Sequence, residues 1–191
     1  MSYKRAQDFA DALRAYEKFA ANYENDPRQI DALLEIAAIH SNSDEHQKTL
    51  DTYQRILESA NAKATPELRM SIYNRIGEIY QTKAGDPKKA AVAYSQLIPM
   101  KPANDQSRLL GLAQLAAIYE SGGDWGSALA VYKQIAASGG RADWVQTAVK
   151  RSSEIQDYLK ALKTSGQAAV GAPGQKAEGS EEAPQSGKKA D

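Results

Sequence analysis

Two histidines, His40 and His46, are the side chains best suited by type to acid–base work or metal ligation. They stand six apart, belong to no His-Glu-x-x-His, and fall on either side of a break between two helical runs. No helix face brings them together, so a packing role is expected for His40. The chain has no cysteine, which excludes disulfides, a thiol nucleophile and Cys-ligated zinc. No GxxxxGK[ST] occurs, so no phosphate-cradling loop is visible. Lys163-Thr-Ser-Gly166 shares letters with a penicillin-binding motif, but its companion motifs are absent. Carboxylates are abundant, yet none forms a singled-out pair for proton transfer. The expectation is a non-enzymatic protein with no cofactor and no metal.

The elements that would position any site are helices. The 191 residues carry equal numbers of acids and bases, 24 each, with pI ≈ 6.8. That argues against nucleic-acid or anionic-membrane binding through bulk charge. No apolar run approaches the roughly 20 residues that cross a bilayer. No apolar segment follows the N-terminal Met-Ser-Tyr-Lys-Arg, so no signal peptide is visible. The expected location is the cytoplasm, or the periplasm if a targeting segment lies upstream. Ala is frequent and Phe and Trp number two each, which favours thin, closely packed helices. Thr65-Pro66-Glu67 and Asp86-Pro87 each read as an N-cap followed by Pro at the first helical position. Ser43-Asp44-Glu45 reads as a cap followed by acids, and Gly139-Gly140 as a stop. The predicted helices are 4–24, 28–41, 44–60, 66–83, 87–99, 104–121, 125–138 and 142–162, with no strand. From Thr164 to Asp191 the chain turns to Gly, Ala, Ser, Pro and mixed charge, with Val170 its one large aliphatic residue. Such a segment cannot offset its ordering entropy by burial, so 1–163 is expected to fold and 164–191 to be a disordered tail.

Three octets repeat: Leu33-Leu-Glu-Ile-Ala-Ala-Ile-His40, Tyr73-Asn-Arg-Ile-Gly-Glu-Ile-Tyr80 and Leu112-Ala-Gln-Leu-Ala-Ala-Ile-Tyr119. Each centres on a small residue, Ala37, Gly77 or Ala116. A second helix follows each, with a small residue and a Tyr four apart: Thr49 and Tyr53, Ala90 and Tyr94, Ala128 and Tyr132. Ala12 and Tyr16 form a fourth such pair. The tyrosines are spaced 37, 41 and 38, and the two small residues of a repeat are 12, 13 and 12 apart. Small residues at mid-helix let paired helices approach, and a hairpin that cannot bury its own apolar face must stack on others.

This pattern resembles the tetratricopeptide repeat family, over roughly residues 8–160. The turns Ala84-Gly85-Asp86-Pro87 and Gly122-Gly123-Asp124-Trp125 are similar to that family's inter-helix turn, with Trp125 at the place of a stapling aromatic. The period is longer than the family's 34, and the repeat-end Pro is met only by Pro27 and Pro102. The phrase Ala15-Tyr-Glu-Lys-Phe-Ala-Ala-Asn-Tyr23 resembles the bacterial BamD and TolA-associated envelope-assembly branch. The resemblance implies an all-α, antiparallel helix-hairpin solenoid, a right-handed superhelix with three full repeats flanked by half-repeats. The first helix is read as the second half of an incomplete hairpin, with an inner stripe of Phe9, Ala12, Tyr16, Phe19 and Tyr23. The last is read as a cap, closed at its start by Trp144, with Val145, Ala148, Ser152, Ile155, Leu159 and Leu162 inward.

The resemblance further implies that first helices line a concave groove for a partner segment. By register the polar groove residues are Glu35, then Asn74, Arg75, Glu78 and Gln81, then Gln114 and Glu120. The same positions also suit plain solvated helix faces. Only Asn74 and Arg75 fit a clamp for a C-terminal carboxylate, so the expected ligand is an extended or helical protein segment with apolar and basic residues. The implied function is a protein–protein interaction adaptor or scaffold, with no nucleic acid and no membrane insertion. The alternative is an accessory subunit fixed in a bacterial envelope-assembly or secretion complex.

Overall fold

The computed structural model describes residues 3–24, 26–59 and 65–165. Among them are eight α-helices and no strand: α1 (Tyr3–Asn22), α2 (Gln29–Asn42), α3 (His46–Ser59), α4 (Pro66–Glu78), α5 (Pro87–Ser95), α6 (Gln106–Ser121), α7 (Trp125–Ala136) and α8 (Ala142–Ser165). Each sits within a few residues of its predicted place. The expected disordered tail lies outside the described residues from 166 onward, and α8 runs two residues past the expected boundary at 163.

Local chemistry sets the helix starts. The Thr65 hydroxyl accepts from the Leu68 N–H at 3.3 Å, with Pro66 opening the helix. Asp86, Asp105 and Asp124 each accept from the N–H three residues on, at 3.0 Å. These caps satisfy N–H groups that a helix cannot bond internally. Before two of them the chain makes a left-handed turn at Gly85 (φ 61°) and Gly123 (φ 75°). The first repeat puts Asp44 (φ 55°) at the matching place, in a conformation that side chains other than Asn and Asp rarely adopt. The cap expected at Ser43 is not made. Ser43 instead closes α2, its N–H donating to Ile39 O at 3.1 Å. Glu45 stands where Asp86 and Asp124 cap, and its longer side chain reaches sideways to Lys48 at 2.7 Å and His40 at 2.6 Å.

α4 continues without a break into a π-helical stretch, Ile79–Lys83. The Ala84 N–H donates to Ile79 O, five residues back, at 3.0 Å. The physical reason is visible in the spacing. Gly77 and Ala90 are 13 apart where the other hairpins have 12. One extra residue is absorbed as a single π turn, which keeps both helices in phase.

Sequential helices pack as antiparallel neighbours: α1 on α2, α2 on α3, α4 on α5, α6 on α7 and α7 on α8. α6 lies against both α4 and α5, as stacked hairpins require. Two apolar cores result. One gathers Leu33, Ile36, Ile56 and Ile72, and the other Met70, Tyr94, Leu97, Leu112, Leu115 and Ile135. α4 is the shared wall, with Ile72 in the first core, Met70 in the second and Tyr73 packed against both. The close approach within the second hairpin is at Gly77. A Cβ there would stand 2.5 Å from Tyr94 Cζ and 2.7 Å from its Cδ1.

The inner stripe of α1 is rotated from the expected one. Leu13, Tyr16, Phe19 and Ala20 pack on the first core, while Phe9 and Tyr23 are 38 % and 54 % exposed. α2 packs on α1, with Leu13 and Ala20 in the core between them, and Phe9 is left partly exposed. In α8, Ala148, Ser152 and Ile155 are buried as expected. Trp125 staples the last hairpin to this cap, its ring edge-on to Tyr158 at 5.4 Å between centroids.

Candidate functional site

α4 and α6 run side by side and carry most of the polar residues expected in the groove. Asn74, Glu78, Gln81 and Gln114 come together with Thr82, Tyr94 and Leu110 around one cleft of about 240 Å³. Three of these four are engaged with the scaffold itself. Asn74 Nδ2 donates to the Ser107 carbonyl at the start of α6, and its Oδ1 is buried with no hydrogen-bond partner among the described residues. Gln81 accepts from the Tyr94 hydroxyl at 3.2 Å and donates to Gln114 Oε1 at 3.5 Å. Gln81 belongs to the π-helical stretch Ile79–Lys83. Glu78 is exposed. Tyr94 is pushed up to about 12, first by burial and then by the Glu78 charge.

The remaining expected groove residues lie elsewhere. Glu35 is exposed on α2, away from this cleft. Arg75 is exposed on α4 and turned to the Tyr53 side. Tyr53 is raised by burial, with Arg75 acting against that shift and Glu78 adding to it. Glu120 is not free for a ligand. Arg151 of α8 donates to both its carboxylate oxygens, at 3.2 and 2.7 Å, and also to Glu154 at 2.6 Å. The Arg151 guanidinium is raised above its ordinary value chiefly by the hydrogen bond to Glu120. This bidentate pair, about one-fifth exposed on each side, ties the cap to the third hairpin.

On the other flank of α6 lies a second cleft, of about 230 Å³, that is almost wholly apolar. Ala113, Tyr132, Ile135, Trp144, Thr147 and Ala148 line it. Leu110, 46 % exposed, stands one turn before Ala113 on the same helix. Both clefts border α6, one almost wholly apolar and the other mixed, with Glu78 and the amides of Asn74, Gln81 and Gln114 set beside Leu110 and Tyr94.

His40 is buried on α2, with Nδ1 2.6 Å from Glu45 Oε2. Glu45 is held below the usual carboxylate range by Lys48 and then by His40. The cluster fastens the α2–α3 turn. Among the described residues no group of three His, Asp or Glu side chains could hold a metal ion. No described helix is long and apolar enough to cross a membrane.

One buried residue escaped sequence reasoning. Arg108, 4 % exposed, donates to the carbonyls of Leu97, Ile98 and Ala103 at 3.0, 2.8 and 2.9 Å, and to Gln134 at 3.3 Å. It fastens the end of α5 and the loop behind it to α6. Burial lowers its guanidinium below the ordinary value.

Residues 112–143, the body of the α6–α7 hairpin and the turn beyond it, match the tetratricopeptide repeat family. Residues 1–26, which contain α1, match a second form of the same repeat. The chain carries tetratricopeptide repeats. It is similar in structure to a kinesin light chain of Podosopora anserina with nearly identical TPR-like repeats, at 15 % identity and a TM-score of 0.50. That likeness covers 87 % of this chain and 92 % of the other, and it speaks to the fold alone. No curated protein matches the chain significantly. In tetratricopeptide terms α2, α4 and α6 are the first helices of three hairpins and α3, α5 and α7 the second. Among the described residues, α1 stands in the place of a second helix and α8 in that of a first helix, each without the other half of its hairpin. Tetratricopeptide repeats are a protein-interaction fold, and the two clefts beside α6 lie between first helices of successive repeats.

Proposed function

We infer that the chain is a non-enzymatic adaptor that captures a segment of a partner protein along α6. The observation that carries this reading is the pairing of an apolar cleft beside Trp144 with a mixed cleft that carries the Glu78 carboxylate, both bordering α6. A bulky apolar side chain suits the first, and a Lys or Arg beside it suits the Glu78 carboxylate. Trp at the mouth of a cleft is the kind of residue that dominates binding energy. The scaffold is already folded around both clefts, so capture orders only the ligand, which lowers the entropic cost of association.

Selection of a random 12-residue peptide library on the intact chain tests this. Enriched peptides should combine a large apolar residue with Lys or Arg. Glu78→Arg with Gln114→Arg should weaken them at least about tenfold, near 1.4 kcal/mol. Enrichment that is indifferent to this double change, or that responds only to changes on α1, refutes the site.

A second reading, an accessory subunit fixed in a bacterial envelope-assembly or secretion complex, is favoured by one observation, the open flank of α1. The cytoplasm suits the first reading and the periplasm the second.

A further inference from the structure

A third cleft, of about 370 Å³, opens where the first hairpin meets the second, and it shares no residue with the two beside α6. Its floor is one stripe of α4, Tyr73, Ile76 and Tyr80, spaced three and four apart and each half-buried. Gln54 of α3 stands on one side. Lys89 and Val92 of α5, with Gln96 just past its end, stand on the other. Val92 is 65 % exposed, an aliphatic wall with room beside it. The equivalent place at the next joint is filled from within. Gln134 follows Gln96 by the same 38 residues that separate Tyr132 from Tyr94, and it accepts from the buried Arg108 at 3.3 Å. The first joint is left open, with its cation at the rim.

Among the described residues, Lys89 is the one charged side chain that lines this cleft. Its Nζ lies 5.6 Å from the Tyr80 ring centroid and 3.5 Å from Asp86 Oδ2, longer than a charge-assisted hydrogen bond. Asp86 is already committed to the start of α5, where it accepts from the Lys89 N–H at 3.0 Å. Lys88 is exposed beside Lys89, and Lys83, exposed on the same turn, is 3.9 Å from Asp44. The α5 side is therefore basic. The α3 side sets Asp51 and Glu58 against Arg55, and both acids accept from glutamines, Asp51 from Gln47 at 2.8 Å and Glu58 from Gln54 at 3.0 Å. The charge that complements the cleft is a carboxylate on its α5 side, the opposite of what Glu78 calls for beside α6.

We propose that this cleft binds an acidic segment of a partner protein, with a carboxylate at Lys89 and a large apolar side chain against Tyr73, Ile76 and Val92. Lys89 and Gln96 are seven residues apart, a rise of about 10 Å along a helix. That length spans about three residues of extended chain, so the acid and the apolar residue lie within about three positions of each other. The amides of Gln54 and Gln96 each offer donors and an acceptor to a backbone lying between them. A nucleic-acid strand would need a row of cations along its phosphates, and the α3 side presents Asp51 and Glu58 instead.

The test selects a phage-displayed library of random 12-residue peptides on the intact chain carrying Glu78→Arg and Gln114→Arg, which disables the cleft beside α4 and α6. Enriched peptides should hold Asp or Glu within about three positions of Leu, Ile, Phe or Trp. A fluorescein-labelled copy of the leading peptide, followed by anisotropy, should bind at least about tenfold more weakly when the chain also carries Lys89→Glu or Val92→Glu, and about equally with Lys89→Arg. Both sites are exposed, so these variants should keep the helical circular dichroism and thermal midpoint of the chain without them. Peptides that bind Lys89→Glu and Val92→Glu undiminished overturn the proposal, and so does the absence of an acidic class. Saturable binding of a fluorescein-labelled oligothymidylate that Lys89→Glu abolishes, with no acidic peptides enriched, assigns the cleft to nucleic acid and overturns it as well. Restoring Glu78 and Gln114 should leave the affinity of the acidic peptides unchanged, so the outcome is independent of the site beside α6.

Discussion

Gly77→Ala sets helix propensity directly against packing. In an open helix the change should stabilise by about 1 kcal/mol, because glycine gives up more backbone freedom on folding than alanine. Here the added Cβ would lie 2.5 Å from Tyr94 Cζ and 2.7 Å from Cδ1, where about 3.4 Å is ordinary contact. The ring must retreat by nearly 1 Å, and because it is 3 % exposed, the residues packed around it must shift as well. Overpacking of this kind costs about 1–3 kcal/mol. A displaced ring also loses the 3.2 Å bond from its hydroxyl to Gln81, worth about 1 kcal/mol. Against the gain in propensity, the net loss should be about 1–3 kcal/mol, and Gly77→Leu should lose more. Urea unfolding at constant m is the assay. Tyr94→Leu should cost stability alone, yet in that background Gly77→Ala should become neutral or favourable, a coupling that a double-mutant cycle isolates. If Gly77→Ala alone stabilises the chain by about 1 kcal/mol, the two helices are not in close contact there and the register of the hairpins is wrong.

Other expectations follow from single residues. Arg108→Met should cost about 2–4 kcal/mol by urea unfolding, because three carbonyls lose a charged donor in a buried place. Gly123→Ala should cost about 1–2 kcal/mol from backbone conformation alone, since φ is 75° and nothing lies within 4 Å of the new methyl. The hydroxyl of Tyr94 is raised from 10.0 to about 12, so the unfolded chain releases its proton first as pH rises. Stability from this group is full below pH 10 and falls between 10 and about 12; Tyr94→Phe should flatten that fall in pH-dependent unfolding. Glu120→Ala should lower the thermal midpoint, because it leaves the partly buried Arg151 without its main acceptor.

Much of this architecture is legible because it is written locally. A cap needs only Thr65 or Asp86 and the next three residues, so the helix starts can be read in one pass. The small residue and the Tyr four later mark helix pairing, and at Gly77 and Tyr94 they meet as expected. Even the π turn is foreshadowed by the spacing of 13, although spacing alone does not say whether an extra residue enters a helix or a loop. The phase of α1 is not legible. The Ala12–Tyr16 pair sets a stripe that assumes a helix on both sides, and with one side open the burial shifts towards Leu13 and Ala20. Arg108 is equally hidden, because the carbonyls it serves belong to the preceding helix and loop.

The candidate site shows why polar residues are harder to read than apolar ones. Register places Asn74, Gln81, Gln114 and Glu120 on the surface where ligands are expected, but it cannot say what else reaches them. Their partners are Ser107, Tyr94, each other and Arg151, 13 to 33 residues away in the chain. These contacts are not of equal strength. The Glu120–Arg151 pair is bidentate and shielded, so a ligand could displace it only at a cost of several hydrogen bonds to a charge. The Gln81–Gln114 bond is long, 3.5 Å against the usual 2.7–3.2 Å, and gives up little when broken. A peptide backbone entering between α4 and α6 can therefore exchange that bond for two of its own, one to each amide, while Glu78 meets a basic side chain without leaving solvent first. The recognition we propose beside α6 is accordingly centred on Glu78, Gln81 and Gln114, and Glu120 belongs to the frame that holds them.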